Sequence, residues 1–263
     1  MADYQMVKDV TACEEYKQTI KVKIYKRWKS FDGNGLPGMS FILVDEDGSK
    51  IAASVDNLQL SYIERVFLEG AWVEVSKFGV INSNWEERMT RHAFQIILNN
   101  QTKASTIRPL TEDPFIKLTD FSHVYNKPYT HYYPIDLLGV LDKPIGNIVT
   151  AVHPDGTMVP TIYFRIRDLE DYTLDCVARG VLAYDIKEKC DCKLMKGQYA
   201  ICVLTDWVVH RNMNEMTIYD YDGGSLSRFI VAPPIDEVLR FRLDLWNKRR
   251  TAENTSGNSD VRD

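Results

Sequence analysis

The chain has 263 residues, 44% apolar and 26% charged, an ordinary globular composition that excludes a largely disordered protein. No apolar stretch approaches the roughly 18 residues of a membrane span. Met1 to Lys17 carries acids and no apolar core, so neither a membrane segment nor a secretory leader is expected, and the protein is expected to be intracellular. The net charge of −5 arises beyond residue 110, because residues 1–110 balance fourteen basic against fourteen acidic side chains while residues 111–263 hold 18 against 23. That pattern argues against coating duplex DNA through global charge and leaves room only for a local basic groove.

In chain order, Thr19 to Tyr25 alternates, with Ile20, Val22 and Ile24 on one face and Lys21, Lys23 and Tyr25 on the other, which predicts a strand. The turn-forming run Asp32 to Gly38 precedes an apolar strand over Met39 to Val44. Asp45-Glu46-Asp47-Gly48 reads as a hairpin turn into Lys50 to Val55. Leu58, Tyr62, Ile63, Val66 and Phe67 recur at helical spacing before Gly70, and Trp72 to Ile81 and His92 to Leu98 follow as strands. The order strand, strand, strand, helix, strand, strand is that of a five-stranded OB barrel, although other small barrels share the periodicity.

Pro109 to Pro128 reads as a connector, and the same order then recurs. Tyr133 to Val140, Thr161 to Arg167 and Tyr172 to Val177 are strands, Gly180 to Ile186 a short helix, and Gln198 to Val209 and Met216 to Tyr221 further strands. Ile235 to Arg250 closes as a helix and Thr251 to Asp263 is a polar tail. The expected fold is all-β with short helices, as two tandem five-stranded OB-fold barrels. The boundaries are a lead-in 1–17, a first barrel 18–109, a linker 110–130, a second barrel with closing helix 131–250, and a disordered tail 251–263.

Particular residues carry a family likeness. Gly38-Met-Ser-Phe-Ile-Leu-Val-Asp-Glu-Asp-Gly48 and Ile51-Ala-Ala-Ser54 resemble strands two and three of the first DNA-binding OB fold in the replication protein A large subunit. Phe94 to Thr106, with Asn99-Asn-Gln-Thr102, resembles its last strand and exit. Pro134-Ile-Asp-Leu-Leu-Gly139 resembles the opening of that subunit's second OB fold, and Ser227 to Glu237 its closing strand and the helix beyond. The likeness runs from Val7 to about Arg250 and is nearest to the plant-type replication protein A-like proteins. It implies a nuclear, non-catalytic protein that binds single-stranded DNA, with RNA left open, in replication, repair, recombination or telomere maintenance.

In that family each OB fold stacks bases on one aromatic from its third strand and one from the loop between strands four and five. The first pair of positions falls on Val55 or Asp56 and near Trp85. The second falls on Ala178 or Arg179, with no aromatic in His210 to Asn214, which implies that the first barrel carries most of the affinity. The family's zinc-bearing third fold and trimerisation helix have no counterpart, so assembly by that route is not expected.

The binding residues expected are the outward stripe Lys21, Lys23, Tyr25, Arg27 and Lys29 on the first strand, and the loop group Trp85, Arg88 and Arg91. Cations two residues apart track a phosphate backbone and aromatic rings stack on bases. The bland alternatives are a solvated strand face and a tryptophan packed back on the barrel. Trp28 and Phe31 read as stacking platforms or as barrel caps. Cys13, Cys176, Cys190, Cys192 and Cys202 lack the paired spacing of a zinc knuckle and read as free thiols. No enzyme motif is present, and neither a catalytic residue nor a metal or cofactor is expected. The rival reading is an OB-fold interaction scaffold in a DNA-maintenance complex, with protein partners and little strand affinity.

Overall fold

The computed structural model of the chain describes residues 4–12, 18–31, 37–55, 60–83, 88–126, 133–143, 145–152, 156–194, 200–211, 216–221 and 226–256. Strands dominate them, with four helices and a 3-10 turn at Val7–Asp9. Two compact units divide the chain, Met1–Ile116 with Thr130–Pro134, and Lys117–Tyr129 with Ile135–Asp263.

In the first unit the strands are β1 (Thr19–Phe31), β2 (Pro37–Val44), β3 (Lys50–Val55), β4 (Trp72–Ser76), β5 (Gly79–Asn82), β6 (Phe94–Leu98) and β7 (Lys103–Ile107), with helix α1 (Leu60–Val66) between β3 and β4. They form one sheet in the order β5-β6-β3-β2-β1-β4-β7, in which β3 and β6 run parallel. Ile20, Val22 and Ile24 of β1 meet Phe41 and Leu43 of β2, Ile51 and Ala53 of β3, and Ile63 and Phe67 beside α1 in one buried core. β4 and β5 stand toward opposite ends of the sheet, yet only Lys77 and Phe78 separate them in the chain. Two residues span about 7 Å, so the sheet must curl until its ends approach. Trp72 to Ile81, expected as one strand, breaks where Lys77 takes φ 59° and Phe78 turns into the core. Gly38 is required by close approach, since a Cβ there would lie 2.7 Å from the Val55 carbonyl oxygen.

The second unit holds α2 (Phe121–Asn126), β8 (Ile135–Leu141), β9 (Val149–Val152), β10 (Met158–Arg167), β11 (Thr173–Arg179), α3 (Gly180–Leu194), β12 (Ile201–Arg211), β13 (Met216–Tyr219), β14 (Arg228–Val231) and α4 (Asp236–Ser256). Here the ring closes. β8 pairs with β10, β10 with β11, β11 in parallel with β13, β13 with β12, and β12 with β8 again. β9 and β14 extend it on β10 and β12. This is the pairing order of an OB barrel, with α3 between its third and fourth strands.

Ile162, Phe164 and Ile166 alternate into the interior opposite Ala178, Cys176 and Leu174. Phe164 meets Trp207 and Phe229 edge-on with centroids 5.8 Å apart. Of segment 110–130, expected as a linker, the described residues 110–126 pack on both sides. Phe115 packs with Val44 and Trp72 of the first unit, whereas Phe121 and Val124 of α2 are buried in the second. α3 runs well past the expected Ile186, because Leu182, Ala183, Ile186 and Cys190 all bury along one side. α4 passes Arg250 through helix-compatible residues and reaches Ser256, just before Gly257.

Candidate nucleic-acid interface

The outward stripe expected on β1 does not keep to one face. Ile24 stands opposite Leu43 but Lys26 stands opposite Ile42, so Tyr25 is an extra residue in the ladder, a bulge. Beyond it the phase inverts. Lys26 and Trp28 share the outer face with Ile42 and Ser40, while Arg27 and Lys29 stand opposite Phe41 and Met39, which face the core. Arg27 donates from Nη1 to the Phe67 carbonyl at 3.1 Å and the Glu64 carbonyl at 3.5 Å, at the C-terminal end of α1. A guanidinium there satisfies carbonyls that the helix leaves open. Lys29 is exposed.

The two cations before the bulge engage their own unit. Lys21 Nζ lies 3.7 Å from Glu74 and 4.4 Å from the centre of the Tyr4 ring. Lys23 stands opposite both Trp72 and Val44, with its Nζ 5.4 Å from the Phe115 ring that covers them. Tyr25 lies under two ammonium groups, Lys50 at 3.9 Å and Lys26 at 5.2 Å. Of the loop group, Trp85 lies outside the described residues. Arg88 donates to the carbonyls of His92 at 3.0 Å and Arg91 at 2.7 Å, so it braces the loop end. Arg91 is exposed, 5.0 Å from the Tyr133 ring.

Register assembles a different surface from β1, β2, β3 and β6. One row is Lys26, Ile42, Ala52 and Gln95; the next is Trp28, Ser40, Ser54 and Ile97. Gln95 Nε2 donates to Ser54 Oγ at 3.0 Å across it. Lys50, Tyr25 and Trp28 thus stand half-buried on one face, whereas Lys26, Ile42 and Ala52 of the same face are buried. Lys26 escaped the sequence reading because Tyr25 continues the alternation begun by Ile20, Val22 and Ile24, so no break in periodicity marks the bulge.

The closed barrel of the second unit carries a more open face. Tyr163 of β10, Val177 of β11 and Tyr219 of β13 stand in one outward row, with Val208 beyond. Tyr163 is 56% exposed. The adjacent row is Arg165, Asp175, Thr217 and His210, and Arg179 stands opposite Thr161 on the other side. Ala178, where an aromatic was sought, turns into the core opposite Ile162, so rings come from the strands on either side of β11. His210 meets Tyr219 edge-on at 5.8 Å and Arg179 lies 5.5 Å from that ring.

The guanidinium groups of this face are matched by acids. Arg165 holds Asp175 through two bonds of 2.7 and 3.0 Å, and Arg179 Nε lies 3.4 Å from Asp220 Oδ1. Burial raises the Asp220 carboxyl above its ordinary value, and Arg179 opposes that shift. Flat rings beside neutralised arginines suit a base more than a phosphate.

Cys176, Cys190 and Cys202 are buried thiols, Cys190 pushed up to about 12 by burial. Among the described residues no three His, Cys, Asp or Glu side chains are placed to hold a metal ion. No helix there is long and apolar enough to cross a membrane.

Residues 15–127 match the family model described as a domain of unknown function, DUF223. No curated protein matches the chain in sequence. Among solved structures, a chain from a replication protein A heterotrimer bound to ssDNA superposes with a TM-score of 0.63 at 16% identity. The match covers 94% of this chain and 55% of that one, so the protein spans about half its length. A murine DNA-binding protein solved with double-stranded DNA gives a TM-score of 0.43 at 14% identity, covering 83% of this chain and 98% of that one. The first likeness establishes a mostly β, OB-fold-like architecture that runs past the DUF223 segment into the second unit.

Proposed function

We propose that the protein is a non-catalytic single-stranded DNA-binding protein of the nucleus, serving replication, repair, recombination or telomere maintenance. Both units act as OB folds in this reading, the first with β4 and β5 as one broken fourth strand. The observation that carries it is the outward row Tyr163, Val177 and Tyr219 on a closed barrel, flanked by Arg165, Arg179 and His210. In an OB barrel the face of the second and third strands binds oligonucleotides, and β10 and β11 hold those places, with β13 paired beside β11. Support also comes from the fold shared with a chain of an ssDNA-bound replication protein A heterotrimer. In the first unit Tyr25, Trp28 and Lys50 would serve, with Arg91 beside Tyr133.

Titration with labelled oligo-dT at two salt concentrations tests the proposal. With three or four cations on phosphates, log K falls against log salt with a slope of about −2 to −3. Absence of binding at low salt refutes it and favours the scaffold reading, which rests on the cations already matched within the protein. A ribo-oligonucleotide of equal length decides between DNA and RNA.

A further inference from the structure

α4 is amphipathic twice over. Val238, Phe241 and Leu245 are buried against the second unit. On the other side Leu239, Leu243 and Trp246 are 48%, 61% and 55% exposed. Their spacing of four and then three is that of a coiled-coil seam, where one helix lays such a stripe against another. At about 100° per residue, Arg240 and Asn247 border the stripe on one side, and Arg242 and Arg249 on the other. Arg250 continues the stripe with its guanidinium 4.8 Å from the Trp246 ring. Three of the four bordering positions are therefore arginine. In the same register Asp236 precedes the stripe and Glu253 follows it, so acids stand at its two ends while the arginines border its middle; Asp244 lies beyond Arg240, and Lys248 turns the other way to Asp171 and the Leu169 carbonyl.

We propose that this stripe docks an amphipathic helix of another protein whose seam is leucine-rich and whose bordering positions are acidic. Charge selects that occupant. A second copy of α4, parallel or antiparallel, would set arginine against arginine or asparagine along both borders, so self-pairing is disfavoured. A nucleic-acid strand would use the arginines and the Trp246 ring but has no use for Leu239 and Leu243. A lipid surface would be met by apolar side chains across a broad face, whereas the inner side of α4 is already spent on its own barrel.

The test uses the full chain and two synthetic helical peptides of about four heptads, leucine at the seam, with glutamate or lysine on the borders. Fluorescence anisotropy should give saturable binding of the glutamate peptide, weakening as salt rises, and binding of the lysine peptide on the order of tenfold weaker. Leu243→Glu, at an exposed position, should abolish binding while leaving melting temperature and oligo-dT affinity unchanged. Equal affinity for both peptides, or for neither, overturns the proposal. So does a Leu243→Glu variant that loses oligo-dT affinity, loses binding to phosphatidylserine vesicles, or converts a sedimenting dimer to monomer. Those three results assign the stripe to nucleic acid, membrane or self-association.

Discussion

At Tyr163 a ring stands more than half exposed while its neighbours along β10, Ile162 and Phe164, are sealed in the core. Removing the ring therefore leaves no cavity, and its loss should register in binding alone. Tyr163→Ala is expected to weaken oligo-dT binding by about 1–3 kcal/mol, the worth of one base on one aromatic, with the melting temperature unchanged. An unchanged affinity would remove this row from the interface. The sequence placed Ala178 and Arg179 at the third-strand position and saw no ring. Which residues stand beside them depends on register with strands 15 to 40 residues away, and Tyr163 and Tyr219 become neighbours of Val177 only when β10 and β13 pair with β11. Pairing of that range leaves no trace in local composition.

At the scale of the element, β1 shows where period-two reading holds and where it ends. Up to Ile24 the alternation is enforced by the core, and the inner residues were legible for that reason. After the bulge the strand rises past the core to the end of α1, where Arg27 answers helix carbonyls instead of packing. Arg27→Ala should then lower the melting temperature of the first unit at a cost of about 1 kcal/mol while oligo-dT affinity holds. Lys50→Ala should do the reverse, reducing affinity and shallowing the salt slope by about 0.7. If Arg27→Ala shallows the slope and leaves stability intact, the phase inversion is not what positions these cations.

α3 makes the same point from another direction. Its inner side is completed by Cys190, which reads from sequence as a thiol among thiols and not as one more apolar helix position. Lys187 with Asp191 at 2.8 Å and Lys189 with Asp185 at 2.6 Å then support the extra turns on the outside.

For the whole molecule, charge and aromatic content are distributed differently from what composition implied. The acid excess beyond residue 110 reads as a repelling second half, yet the acids nearest the outward row are held by arginines of the same unit, Asp175 by Arg165, Asp220 by Arg179, and Asp142 and Asp171 together by Arg167. Fragment 117–263 begins where the second unit begins and keeps α2, which Arg211 caps by donating to the carbonyls of Val124 and Tyr125. It should bind oligo-dT on its own through stacking, with a slope of log K against log salt near −1, about half or less of that of the full chain. A fragment that folds by circular dichroism but does not bind would return the interface to the first unit alone.

The ring of the second unit has a further consequence for a chain still being made. β8, β10 and β11 emerge first, and they already form an antiparallel ribbon. Its two bare edges, β8 and β11, are the ones that β12 and β13 later occupy. Until residues 201–219 leave the ribosome, Ile162, Phe164 and Leu174 have no lid and both edges can recruit a foreign strand. A premature stop anywhere in α3 would thus yield a sticky ribbon, not a smaller barrel, and cells making it would need holdase chaperones from the moment of release.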